Sequence, residues 1–70
     1  MKTVHIFSKE EQEQLLKELC QVNRLSYHMV CKIMFENLLG EDSAKESLRQ
    51  FQYYLSGKFN ISASSIKFED

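Results

Sequence analysis

Three patterns follow one another in the first forty residues of this 70-residue chain, and their order limits the fold strongly. A short run of β-branched and aromatic residues, 2–7, predicts a strand. An amphipathic helix follows directly, and a short turn then opens a second helix that is apolar on nearly every side. A single strand has no partner for its backbone hydrogen bonds, and a helix that is apolar on nearly every side needs other residues to shield it from water. Because a chain of this size buries only a small core, we expect a second copy to supply both.

The first two helices carry clear boundary signals. Ser8 and Glu11 form an S-x-x-E capping box, which predicts a first helix over residues 9–22. Asn23 suits the left-handed position after that helix, and Ser26 suits the N-cap of a second helix over 27–39.

The second half of the chain predicts a third helix and a tail. Gly40 should end the second helix, and a second capping box, Ser43 to Glu46, should open a helix that runs to about Ser56 with Gly57 after it. The tail from residue 59 to 70 is expected to form a short helix or a terminal strand.

Composition argues against several classes of protein. The chain has no proline, two glycines and no run of about 18 apolar residues, so we expect a compact, mostly helical, cytoplasmic protein without a membrane span. Cys20 and Cys31 lie within helical patterns, so they are expected to be reduced thiols that pack as small apolar residues. Metal-ligand spacing, glycine-rich phosphate loops and catalytic triads do not occur in the sequence, so we expect neither cofactor nor enzymatic activity.

The order of the patterns over residues 2–39 resembles the ribbon-helix-helix family of small repressors. Leu25-Ser26 is similar to the turn of that family, and Val30, Ile33 and Met34 fall where its core residues fall, while Arg24 stands where the family often has glycine. The resemblance implies that two chains pair their strands into a ribbon that enters the major groove of DNA. The expected fold is mostly α: an N-terminal strand and three helices in an intertwined homodimer, with 1–40 as the DNA-binding core and 41–70 as a helical extension.

The resemblance implies the DNA contacts. If Val4 and Ile6 are buried, the groove-facing residues are Lys2, Thr3, His5 and Phe7. Phosphates would be held by residues near the turn and the helix starts: Ser26 and Tyr27, with Lys9 and Arg24 as auxiliary contacts. The expected function is that of a transcriptional repressor that binds duplex DNA at a specific sequence.

Two alternatives stay open at this point. Net charge is −1, and residues 1–40 hold five basic and five acidic side chains, which does not favour phosphate binding. The chain could instead be an interaction module that binds a host protein through the aromatic residues Phe51, Tyr53, Tyr54 and Phe59. In that case residues 2–7 would pack inside a single-chain core. Separately, the segment 58–66 resembles the start of a recognition helix in helix-turn-helix repressors.

Overall fold

The computed structural model describes residues 4–69. Its elements, in chain order, are β1 (His5–Phe7), α1 (Lys9–Val22), α2 (Tyr27–Phe35), α3 (Glu41–Phe59), a 3₁₀ turn (Ala63–Ser65) and β2 (Ile66–Phe68). The prediction of a mostly helical chain with a short N-terminal strand and three helices is confirmed.

The N-terminal strand finds its partner within its own chain. β1 and β2 pair in parallel, with Phe7 opposite Phe68, and all three helices lie in the connection between the two strands. The backbone N–H of Glu69 extends the pairing by donating to the carbonyl of Phe7 at 2.9 Å. The strand therefore does not need a second copy, contrary to the prediction, since the last strand of the chain supplies its hydrogen bonds.

The faces of β1 are the reverse of the predicted ones. Phe7 is 1% exposed and packs in the core, whereas Ile6 is 64% exposed and Val4 is also exposed. The Phe7 ring packs against Phe59 and Phe68, with centroids 5.6 and 6.2 Å away. The predicted burial of Val4 and Ile6 is therefore corrected.

The predicted bounds of α1 are confirmed, including the capping box. The Glu11 N–H donates to Ser8 Oγ at 3.2 Å, and the Ser8 N–H donates to Glu11 Oε1 at 3.1 Å. After α1, the left-handed residue is Arg24, with a φ of 56°, whereas Asn23 keeps a negative φ. The N–H of Leu25 then donates to the carbonyl of Cys20 at 2.8 Å, which completes the turn into α2.

The second helix begins where predicted and ends earlier. Ser26 caps it, accepting a hydrogen bond from the Met29 N–H, as predicted. The helix stops at Phe35 and not at residue 39, because Asn37 takes a left-handed φ of 51°. Leu38 and Leu39 thus lie in the connection to α3 and not on a helix.

The third helix is longer than predicted at both ends. It begins after Gly40, which takes a φ of 95°, a value that glycine adopts readily. Ser43 therefore lies inside the helix and is not its cap. Gly57 also lies inside, and the left-handed residue is Asn60. The segment after it forms the 3₁₀ turn and β2, which corrects the resemblance of 58–66 to a recognition helix.

The core lies where the sheet meets α1 and α3. Its buried members are Phe7, Leu16, Cys20, Met34, Phe51, Leu55 and Ile66. α2 contributes only Met34 to this set. Both cysteines are free, and no helix in the part of the chain from residue 4 to 69 is long and apolar enough to cross a membrane.

Candidate functional site

A groove of about 470 Å³ opens between the three helices and the end of the sheet. Its lining comes from four elements: Lys9, Gln12, Glu13 and Leu16 of α1, Tyr27 and Phe35 of α2, Leu48 and Phe51 of α3, and Phe68 and Glu69 at β2. The volume falls within the range of ordinary ligand and peptide sites. Six of the ten lining residues are apolar or aromatic, so the groove suits an apolar partner.

Two buried residues and a stacked aromatic pair form the floor of the groove. Leu16 and Phe51 are buried, and the Phe51 ring stacks on Phe68 with centroids 5.4 Å apart and planes 4° from parallel. The stack joins α3 to β2, so the floor is part of the core and is fixed before any partner binds.

One side chain holds the strands against α1 beside the groove. The Gln12 amide nitrogen donates to the carbonyls of Phe7 and Glu69, each at 3.1 Å. Because these carbonyls belong to the ends of β1 and β2, Gln12 fixes both strands to one helix. The amide nitrogen of Gln12 thereby fixes this part of the groove wall.

Tyr27 forms the wall on the α2 side and is held in place by neighbours. Lys17 Nζ lies 5.4 Å from the centroid of its ring. Burial, together with the neighbouring Cys31 thiol, raises the pKa of Tyr27 to about 12. The half-buried ring of Tyr27 contributes to the lining of the groove.

The charged groups at the rim are few. Glu13 is paired with Lys17, whose Nζ lies 2.9 Å from Glu13 Oε1. Lys9 and Glu69 also line the rim and have no ion-pair partner among residues 4–69. Lys9 is thus an available cation at the α1 end of the groove.

Large apolar side chains are exposed in the segment that borders the groove. Phe35, Leu38 and Leu39 are 60%, 50% and 63% exposed, and Val22, Leu25 and Met29 are also exposed. Phe35 itself lines the groove, and Leu38 and Leu39 follow it in the connection to α3. We call Phe35, Leu38 and Leu39 the apolar knob.

Of the residues predicted to read DNA bases, the structure describes only His5 and Phe7. Lys2 and Thr3 lie outside the described residues. Phe7 is buried, which corrects its predicted place facing a DNA groove. His5 is exposed, but its ring lies against Phe59 at 6.2 Å and Phe7 at 4.5 Å.

The predicted phosphate contacts fall into two separate places. Arg24 and Ser26 are exposed in the turn before α2, while Lys9 lies at the start of α1, beside the strands. The 14 residues of α1 separate the two places by about 20 Å at the helical rise. One chain therefore does not bring Arg24 and Ser26 next to His5.

The four aromatic residues predicted as a partner surface do not form one patch. Phe51 is in the groove floor, Tyr53 is exposed on the opposite face of α3, and Phe59 lies against His5. Tyr54 is half-buried, and its burial and the neighbouring Glu18 carboxylate raise its pKa. Of the four, only Phe51 takes part in the groove.

The knob could not be expected from a second helix over 27–39, which would place Leu38 and Leu39 at the end of a buried helix. The signal that could have found it was Asn37, which favours a left-handed helix end. No group of three metal-ligating side chains occurs within the described ranges. Comparisons of the chain with protein-family models, curated proteins and solved structures give no match.

Proposed function

We propose that this protein is a small interaction module that binds another protein chain through the groove and the adjoining apolar knob. The observation that carries the proposal is the exposure of Phe35, Leu38 and Leu39 beside an apolar groove, in a chain that already closes its own core. A chain with a closed core has no folding reason to expose such side chains together. Large apolar side chains that stay exposed beside one another are typical of docking surfaces.

The groove needs little rearrangement to accept a partner. The floor and walls are fixed by the core and by Gln12, so little ordering is needed on binding.

Sequence-specific DNA binding by a homodimer stays a prediction, and we rank it second. The net charge of −1 gives weak attraction for phosphates, and the outward face of β1 presents Ile6. Titration with random duplex DNA at about 50 mM salt tests it, because non-specific affinity is greatest at low salt. Our proposal predicts no binding at micromolar protein.

Site-specific photocrosslinking tests the proposed function directly. A photoreactive phenylalanine analogue replaces Leu39 in one variant and Gln50, on the exposed face of α3, in a control, and both are expressed in the cells that make the protein. Discrete protein adducts at position 39, with none at position 50, are expected. Equal labelling at both positions, or none at position 39, would contradict the proposal. A third variant at Tyr53 tests the aromatic surface predicted from sequence.

A further inference from the structure

We infer that Cys20 and Cys31 form a reversible dithiol pair, which a small-molecule disulfide such as oxidised glutathione converts into an intramolecular disulfide bond between α1 and α2. Both thiols are free in the structure. Cys20 is a buried member of the hydrophobic core, and Cys31 is half-buried and packs against that core. The inference goes beyond the proposed function, because it concerns the core behind the groove wall and does not depend on what binds in the groove.

The hairpin of α1 and α2 places the two cysteines on the sides where the helices pack together. Cys20 lies one helical turn after Leu16 on the buried stripe of α1. Cys31 lies one turn after Tyr27 on the inward stripe of α2. The connection between the helices is short, and the Cys20 carbonyl accepts the N–H of Leu25 at 2.8 Å. Each cysteine therefore lies within about one and a half turns of the connection, on the inner side of the hairpin.

The two thiols and the phenol of Tyr27 influence one another's titration. Burial, and after it the Cys31 thiol, raise the pKa of Cys20. Burial and the Cys31 thiol, with a smaller effect of the Cys20 thiol, raise the pKa of Tyr27 to about 12. Such mutual effects require groups that lie close together. The three side chains are therefore neighbours between α1 and α2, which agrees with the packing of the hairpin.

The two cysteines differ in access, and this difference sets the order of the exchange. Cys31 is half-buried, whereas Cys20 is 2% exposed, and its raised pKa keeps it a protonated thiol. The Cys31 thiolate attacks one sulfur of the small-molecule disulfide, forms a mixed disulfide and releases one thiolate. The Cys20 thiol then loses its proton and attacks the Cys31 sulfur, which closes the protein disulfide and releases the second thiolate. The two protons lost by the cysteines convert the leaving thiolates to thiols, so one disulfide is reduced as one is formed.

Mass spectrometry of the full chain after incubation with oxidised glutathione tests the pair. The wild type is expected to lose two hydrogen atoms and to carry no glutathione. Trypsin cuts on both sides of each cysteine, so the peptides 18–24 and 25–32 should be recovered joined to each other. Cys20→Ala should instead keep one glutathione on Cys31, because the resolving thiol is missing. Cys31→Ala should remain unmodified, because Cys20 is buried.

The wild type alone can overturn the inference, so the test does not depend on the folding of the variants. A wild type that keeps one glutathione on Cys31 without closing the bond would contradict a pair in bonding reach. A disulfide that joins two chains through Cys31 would contradict an intramolecular pair.

The closed bond should also change the stability of the fold and the groove wall. Because the crosslink restricts the unfolded chain, the unfolding midpoint of the oxidised form should rise by about 5 °C relative to the reduced form. The ring signals of Tyr27 in the nuclear magnetic resonance spectrum should shift on oxidation, while those of Tyr53, exposed on α3, should stay in place. A lower unfolding midpoint after oxidation, or equal shifts for both tyrosines, would show that the core does not accommodate the bond and would overturn the inference.

Discussion

Phe7 and Phe68 lie opposite each other in the parallel sheet, and their ring centroids are 6.2 Å apart. The contact joins the two ends of the chain, because one residue precedes the first helix and the other follows the last. It makes the N-terminal strand part of a single-chain core. The same contact continues through Phe68 to Phe51 and so supports the floor of the groove.

Substitutions in β1 should follow this register. Phe7→Leu should lower the free energy of unfolding by about 1–2 kcal/mol, because it removes ring contacts from a closed core. Ile6→Ala, on the adjacent exposed position, should change it by less than about 0.5 kcal/mol. Urea unfolding monitored by circular dichroism gives both values. The opposite ranking would restore the register predicted from sequence, with Ile6 buried and Phe7 outside.

Gln12 should stabilise the sheet through its two hydrogen bonds. Gln12→Ala is expected to cost about 1 kcal/mol, since the Glu69 carbonyl loses its side-chain donor and the Phe7 carbonyl keeps only the Glu69 N–H. The matched control is Gln14→Ala, which makes the same substitution in the same helix on an exposed residue. The difference between the two unfolding free energies isolates the strand contacts from helix propensity. A difference near zero would show that Gln12 does not hold the strands.

Arg24 occupies a backbone conformation that suits glycine better. Arg24→Gly should raise the free energy of unfolding by about 0.5–1 kcal/mol, because a side chain at a left-handed φ is strained. Asn23→Gly should lower it, since Asn23 keeps a negative φ and its side-chain amide donates to the Leu19 carbonyl at 2.9 Å. Thermal unfolding of the two variants checks the turn, and stabilisation by Asn23→Gly would place the left-handed residue one position earlier.

An ion pair between α1 and α3 should make stability depend on pH. Lys58 Nζ lies 3.0 Å from Glu18 Oε1, and this hydrogen bond holds the pKa of Glu18 below its usual 4.5. A depressed folded-state pKa means that the pair stabilises the protein above the ordinary pKa of glutamate and that this is lost as pH falls through the lowered value.

The expected readout is the slope of the melting temperature against pH on the acid side. Glu18→Gln should flatten this slope and lower the melting temperature at neutral pH. Glu46→Gln, which removes a pair with Arg49 inside one helix, serves as the control. Identical acid slopes for the wild type and Glu18→Gln would contradict a link between the two helices.

Local signals were sufficient for part of the fold. The Ser8 capping box and the Ser26 cap each depend on residues within three positions, so the start of α1 and of α2 could be predicted. The end of α2 was not predicted correctly, because Leu38 and Leu39 continue the apolar pattern of the helix beyond Asn37. The left-handed φ of Asn37 ends the helix before them.

The pairing of β1 with β2 could not be predicted from the pattern of apolar residues. A three-residue strand carries too little alternation to define its faces, and β2 is hidden in a serine-rich tail about sixty residues away from β1. The groove depends on that pairing, since Phe68 and Phe51 meet only when β2 returns to β1. The site therefore could not be predicted from the first forty residues, where the sequence signals are strongest.

Isotope-filtered nuclear Overhauser spectroscopy on a mixture of labelled and unlabelled protein tests the central claim most directly, because it separates contacts within a chain from contacts between chains. The account predicts that the contacts between Phe7 and Phe68 arise within one chain at every protein concentration. Contacts between Phe7 and Phe68 of different chains, or between the β1 strands of two chains, would contradict it and would favour the strand ribbon.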